Sequence, residues 1–198
     1  MNHNIKIACC LASALLLVGA ASAMTWTSPK GFLTDDAYIE KGLPEENFGT
    51  EEILWASSIG GEPQREAWLA FLTRTMMNAL NIKSADEVSS ATLRIYAKEV
   101  EAPGEVELHF YSEGFYEDTV VWDGKPDYDE EVDAVISVEE EGWYDLDATS
   151  FVKKAIEDCK DCPFSAVLVA KGDASVGFAS KEDSGGNVPV LKVTTTTV

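Results

Sequence analysis

The chain has 198 residues, with 15 Lys and Arg against 35 Asp and Glu, two His and four Cys, for a formal charge of -20. A surface of that sign repels nucleic acid and anionic lipid through the same Coulomb terms that draw basic proteins to them, so neither is an expected partner. Cations, neutral glycans and basic proteins remain, and the scarcity of His excludes most chemistry built on imidazole.

The first 23 residues, MNHNIKIACCLASALLLVGAASA, carry Lys6 as their one charged side chain, an apolar run from Ile7 to Val18, and Ala21-Ser22-Ala23 as a small-residue cleavage site. They read as a secretory signal peptide. The run is shorter than the roughly 20 residues a membrane span needs, and Cys9 and Cys10 lie inside it rather than just after a cleavage site, which argues against a lipid anchor. No membrane span is expected, and the mature protein is predicted to be secreted, whether extracellular, at the cell surface or periplasmic. Residues 24–198 keep 14 basic against 35 acidic side chains, or -21, and are expected to form a single domain standing alone after the leader.

Strand signals then recur along the chain: Ala37–Glu40, Ile53–Ser57, Glu66–Leu72, Ser90–Lys98, Val106–Tyr111, Thr119–Trp122, Val132–Val138, Gly142–Asp147, Ser165–Lys171, Val176–Ser180 and Val190–Val198. Polar turns such as Glu101–Glu105 (EAPGE) and Asp183–Asn187 (DSGGN) separate them. Short strands at this spacing predict an all-β fold, a jelly-roll type β-sandwich with one short helix. In Val106–Tyr111, His109 alternates with Leu108 and Phe110, which places it on the solvent side of its strand. The helix falls in DATSFVKKAIEDC, where Phe151, Val152, Ala155 and Ile156 form an apolar stripe with Thr149 or Ser150 as N-cap. It is expected across one end of the sandwich. TRTMMNALNIKSADEV could add another turn or two with no fixed boundaries.

Three features invite chemistry. Cys159 and Cys162 form a C-x-x-C after the helix, where the dipole disfavours a thiolate. A structural disulfide closing the helix end is the expectation over a redox pair, and a zinc site lacks two further ligands. GFYEDTVVWDGKPDYDEE (Gly114–Glu131) packs aromatics among carboxylates. It lacks the EF-hand order of ligands, so calcium would need carboxylates gathered from several loops. Trp68, among apolar neighbours, reads as core; Trp55, Trp122 and Trp143 stand at strand ends, where a ring either seals the sandwich or stacks on a sugar.

Several stretches together resemble the DNRLRE domain family, grouped with carbohydrate-binding module family 96. They are Asp36-Ala37-Tyr38, Gly42-Leu43-Pro44, Asn47-Phe48-Gly49 and Leu54, then Arg65 with Ala67 to Phe71, and Ala91 to Tyr96. Glu117, Thr119, Val121-Trp122 and Pro126 follow, then Gly142-Trp143, Asp147 and Thr149, and finally Phe178, Ser180, Pro189 and Leu191 to Val193. Phe115, Ala70 and Cys162-Pro163 depart from the pattern. The resemblance implies a secreted β-sandwich of the kind found as accessory domains on carbohydrate-active or cell-surface proteins, with these residues as framework.

The expected function is therefore a non-catalytic module for a polysaccharide or cell-surface glycan, with calcium as a candidate cofactor. Its candidate ligand-binding residues are Trp55, Tyr116, Trp122, Asp127, Tyr128 and Asp129. A matrix or filament protein self-associating through an unpaired Val190–Val198 edge is the alternative. A polysaccharide-cleaving enzyme is the least favoured, because carboxylates this numerous pair by chance and sequence does not give their separation.

Overall fold

The structure, a computed structural model, describes residues 22–196, so most of the leader-like segment and the last two residues of the expected C-terminal strand lie outside the described residues. Its elements are β1 (Thr25–Thr27), β2 (Leu33–Glu40), β3 (Ile53–Ile59), β4 (Glu62–Leu72), α1 (Thr73–Leu80), β5 (Val88–Ala102), β6 (Gly104–Tyr111), β7 (Val132–Val138), β8 (Gly142–Asp147), α2 (Thr149–Asp158), β9 (Pro163–Ala170), β10 (Ser175–Ala179) and β11 (Val190–Thr195). The strands form one curled antiparallel sheet in the order β1-β11-β5-β10-β3-β4-β9-β6-β7, with β2 also on β4 and β8 also on β5. The fold is all-β and sandwich-like, as the strand spacing predicts.

Period-2 alternation explains the curl. Leu93 and Ile95 of β5, Leu54 and Ala56 of β3, Leu69 and Phe71 of β4, and Leu108 and Phe110 of β6 all turn to one face and meet in one core. α2 closes an end of it: Phe151 lies 5.7 Å from Phe110 and 5.2 Å from Phe164, ring centre to ring centre. Among the described residues there are two α-helices rather than one. α1 buries Met76, Met77 and Leu80 and stops at Asn81, whose left-handed φ of 53° is one Asn accepts at low cost. Neither Thr149 nor Ser150 caps α2 with its side chain. Asp147 does so instead, its Oδ1 accepting the Thr149 amide at 3.0 Å and the Thr149 hydroxyl at 2.6 Å.

Three expectations fail because alternation says which face a residue takes, not what covers that face or which strand pairs beside it. Residues 112–131 do not pair as a strand at Thr119–Trp122; they run as a strap over the outer face of β2, β4, β9 and β6. There Val120, Phe115, Trp122 and Tyr128 pack with Ala37, Ile39, Val167 and Val169 around a fully buried Trp68. His109 does point outward from β6, but the strap buries it, with Nδ1 donating to the Asp129 carbonyl at 2.9 Å. β11 is likewise no free edge, because β1, too short to leave a signal, pairs along its other side.

The strap is pinned at its turn by the loop after β2. The Asn47 side-chain amide donates to the carbonyls of Glu117 (2.7 Å) and Val120 (2.9 Å), and the Asp123 amide donates to the Pro44 carbonyl (2.8 Å). Gly49 lets the two segments meet, since a Cβ there would stand 2.0 Å from the Glu117 carbonyl oxygen. Gly49→Ala is expected to lose about 2 kcal/mol of stability, as overpacking against backbone does. An unchanged urea midpoint would show that the contact is slack.

Candidate functional site

Where the strap leaves β6 it forms one wall of a cleft of about 830 Å³. Gly114 makes the wall close, since a Cβ there would sit 2.8 Å from the Pro163 side chain. The Glu113 carbonyl is fixed by the Ser165 hydroxyl at 2.8 Å. Thr34 and Asp35 of β2 also line the cleft, together with Leu72, Asp158, Cys162 and Pro163. Cys159 and Cys162 are joined by the expected disulfide at the end of α2, with Cα atoms 5.3 Å apart. The Cys162 carbonyl accepts the Thr73 amide and hydroxyl, so the same turn also seats the start of α1.

The cleft thus brings together three carboxylates (Asp35, Glu113 and Asp158) and the rings of Phe115 and Tyr116, with no basic residue among those lining it. Tyr116 is 77% exposed. Its backbone is firm all the same, its carbonyl accepting the Thr119 and Val120 amides. Phe115 has its ring 5.8 Å from Trp68 and belongs to the outer core.

The other candidate residues do not join Tyr116. Trp122 and Tyr128 are half-buried and meet under Lys125, whose ammonium lies 4.2 Å and 5.6 Å from their ring centres. Tyr128 also stands edge-on to Trp68, and its hydroxyl donates to Glu66 at 3.2 Å. Burial, then the Glu66 charge, raises its pKa. Asp127 is exposed, while Asp129 is tied by its amide to the Phe110 carbonyl. Trp55 lies elsewhere, on the outer surface of β3 above Gly177, with the Arg65 guanidinium 4.4 Å from its ring centre. Trp143, on β8, is half-exposed beside Tyr96 and Arg94. The signal for Tyr116 was its place among the acidic residues of the strap. Asp35, Glu113 and Asp158 carried none, because they converge only once β2, the strap and α2 are in place.

A second feature was also invisible in sequence. Among the described residues four carboxylate side chains are almost fully buried, and a lysine from a distant segment reaches three of them: Lys125 to Glu66 at 2.5 Å, Lys98 to Asp183 at 2.7 Å, and Lys154 to Asp133 at 3.0 Å. Lys154 also draws in Glu131 at 2.9 Å, so one cation of the chain offsets part of the negative charge at the acidic end of the strap. The fourth, Asp36, lies with Glu117 and Glu182, a carboxylate oxygen of each within 4.8 Å of the others. Burial pushes Asp36 up to about 8, with the Glu182 carboxylate adding to it and the Lys181 amide opposing it. Burial alone would lower Lys181, but Glu117 and Glu182 hold it above its usual value.

Fold and site together define a β-sandwich with an acidic cleft bordered by an exposed aromatic ring. No curated protein matches the chain. The chain belongs to carbohydrate-binding module family 96, whose profile matches residues 30–195. Asp36, Asn47, Gly49 and Glu117, part of the resemblance, are the residues that seat the strap. No helix among the described residues is long and apolar enough to cross a membrane.

Proposed function

We propose that the protein is a secreted, non-catalytic module that holds a neutral glycan chain in the cleft beside Tyr116. The observation that carries this is an exposed ring on firm backbone, bordering a cleft with three carboxylates and no basic side chain. An aromatic face stacks on the C–H face of a pyranose ring, while Asp35, Glu113 and Asp158 accept its hydroxyls. The same carboxylates repel uronates and sulfated sugars, so polyanionic glycans are disfavoured. Secretion follows from the leader-like residues 1–23 and agrees with a disulfide-bonded helix end.

The test is affinity electrophoresis and titration calorimetry with soluble β-glucans, xylans and mannans beside alginate and pectate. Binding to a neutral polymer, weakened about tenfold or more in Tyr116→Ala, is expected, in line with the loss of a central aromatic contact. Tyr116 is exposed, so the variant should keep its fold. If the folded protein ignores every neutral glycan, or if Tyr116→Ala binds as tightly as the parent, the reading fails.

A further inference from the structure

We infer that Asp36, Glu117 and Glu182 form a binding site for one divalent cation of the hard, oxygen-seeking kind, calcium above all. The three carboxylates come from β2, the strap and the loop after β10, segments far apart in sequence, and an oxygen from each falls within 4.8 Å of the others. The second observation concerns which oxygens are already occupied. Asp36 Oδ2 accepts the Lys181 amide at 2.7 Å. Glu117 Oε2 accepts the Asp36 amide at 3.2 Å and the Lys181 ammonium at 2.8 Å, and Glu182 Oε1 takes the same ammonium. Asp36 Oδ1 and Glu182 Oε2 are buried with no donor group facing them, so without an ion only a proton held between the Asp36 and Glu182 carboxyls can bridge them. The Asp36 residue is 1% exposed, so water cannot freely satisfy its oxygen.

Charge bookkeeping agrees with the geometry. Once an ion displaces the proton that burial leaves on Asp36, three ionised carboxylates and Lys181 carry two negative charges in a mostly buried space, where unpaired charge is costly. One divalent ion cancels both and supplies the missing partner to both orphan oxygens. Three carboxylates plus waters suit calcium, which accepts six to eight oxygens in irregular geometry, whereas magnesium demands a near-ideal octahedron. A bound ion would cross-link β2 to the strap immediately after Tyr116, stiffening one wall of the cleft without touching a ligand in it.

The experiment is calorimetric titration of calcium into the chelator-treated full-length secreted protein, with no glycan present, in parallel with Asp36→Asn, Glu182→Gln and the exposed-surface control Glu139→Gln. One saturable site is expected, with a dissociation constant of about 0.1–1 mM as in extracellular modules. It should be lost in Asp36→Asn, weakened at least tenfold in Glu182→Gln, unchanged in Glu139→Gln, and not matched by magnesium. Should Asp36→Asn fail to fold, Glu182→Gln, whose side chain is partly exposed, decides alone. Absence of a saturable site in the parent, or a site of equal strength in Glu182→Gln, would overturn the inference.

Discussion

Trp68→Ala is expected to be among the most damaging single changes in the outer face of the sheet, at about 3 kcal/mol of stability. Trp68 is wholly buried, and the rings of Tyr111, Phe115 and Tyr128 stand edge-on to it at 5.7 to 5.8 Å. Truncating a buried Trp or Phe costs roughly 3–5 kcal/mol through lost transfer energy and the cavity left behind. The low end is chosen because the indole N–H has no hydrogen-bond partner, so its removal relieves a buried unsatisfied donor. Trp68→Phe, which keeps a ring and drops the N–H, should cost far less. Urea denaturation reads the difference, and limited proteolysis at Lys125 reports whether the strap has come loose. A loss under about 1 kcal/mol with unchanged cleavage would mean that the strap is held mainly by its hydrogen bonds to Asn47 and Pro44.

Lys125→Met is expected to cost a similar amount by a different route. The Lys125 ammonium is 2.5 Å from Glu66, which is 1% exposed, and removing it strands a buried carboxylate whose second oxygen already lacks a partner. Breaking such a pair from one side costs about 3–5 kcal/mol, whereas replacing both members by well-packed apolar groups is often nearly neutral. Lys125 keeps a quarter of its side chain in contact with solvent, which places the expected loss near 3 kcal/mol. The double variant Lys125→Met with Glu66→Leu should recover most of it. If the single and double variants lose equal stability, the damage lies in the lost stacking of Lys125 on Trp122 rather than in the stranded charge.

Most of the sheet was legible because strands such as β5 bury one face and alternate, while β9 and β10, buried on both faces, show as short apolar runs. Val132–Val138 and Gly142–Asp147 are found at their expected bounds, and the other paired strands differ from theirs by a few residues at the ends. The strap was not legible. Thr119–Trp122 alternates like a strand because Val120 and Trp122 both face a core, yet that core lies on the outer face of the sheet and no strand runs alongside to pair with their backbone. His109 was misplaced for the same reason. Within the site, an aromatic in an acidic loop was visible, but exposure separates Tyr116 from Trp122 and Tyr128, and exposure belongs to the folded chain. The acidic cluster of Asp36, Glu117 and Glu182 joins positions up to 146 residues apart, a convergence no local pattern announces.

The inward use of lysine has a consequence for how the molecule behaves as a colloid. With few cations to begin with, Lys98, Lys125, Lys154 and Lys181 keep only about a quarter of their side chains exposed and face carboxylates of their own chain. What solvent meets is therefore a polyelectrolyte skin more uniformly negative than composition suggests, wrapped in a mobile atmosphere of counterions. Copies of the molecule repel one another at low ionic strength, and added salt compresses that atmosphere and lets them approach. The internal braces sit largely below the reach of that screening, so salt tunes the company the molecule keeps far more than the fold it holds.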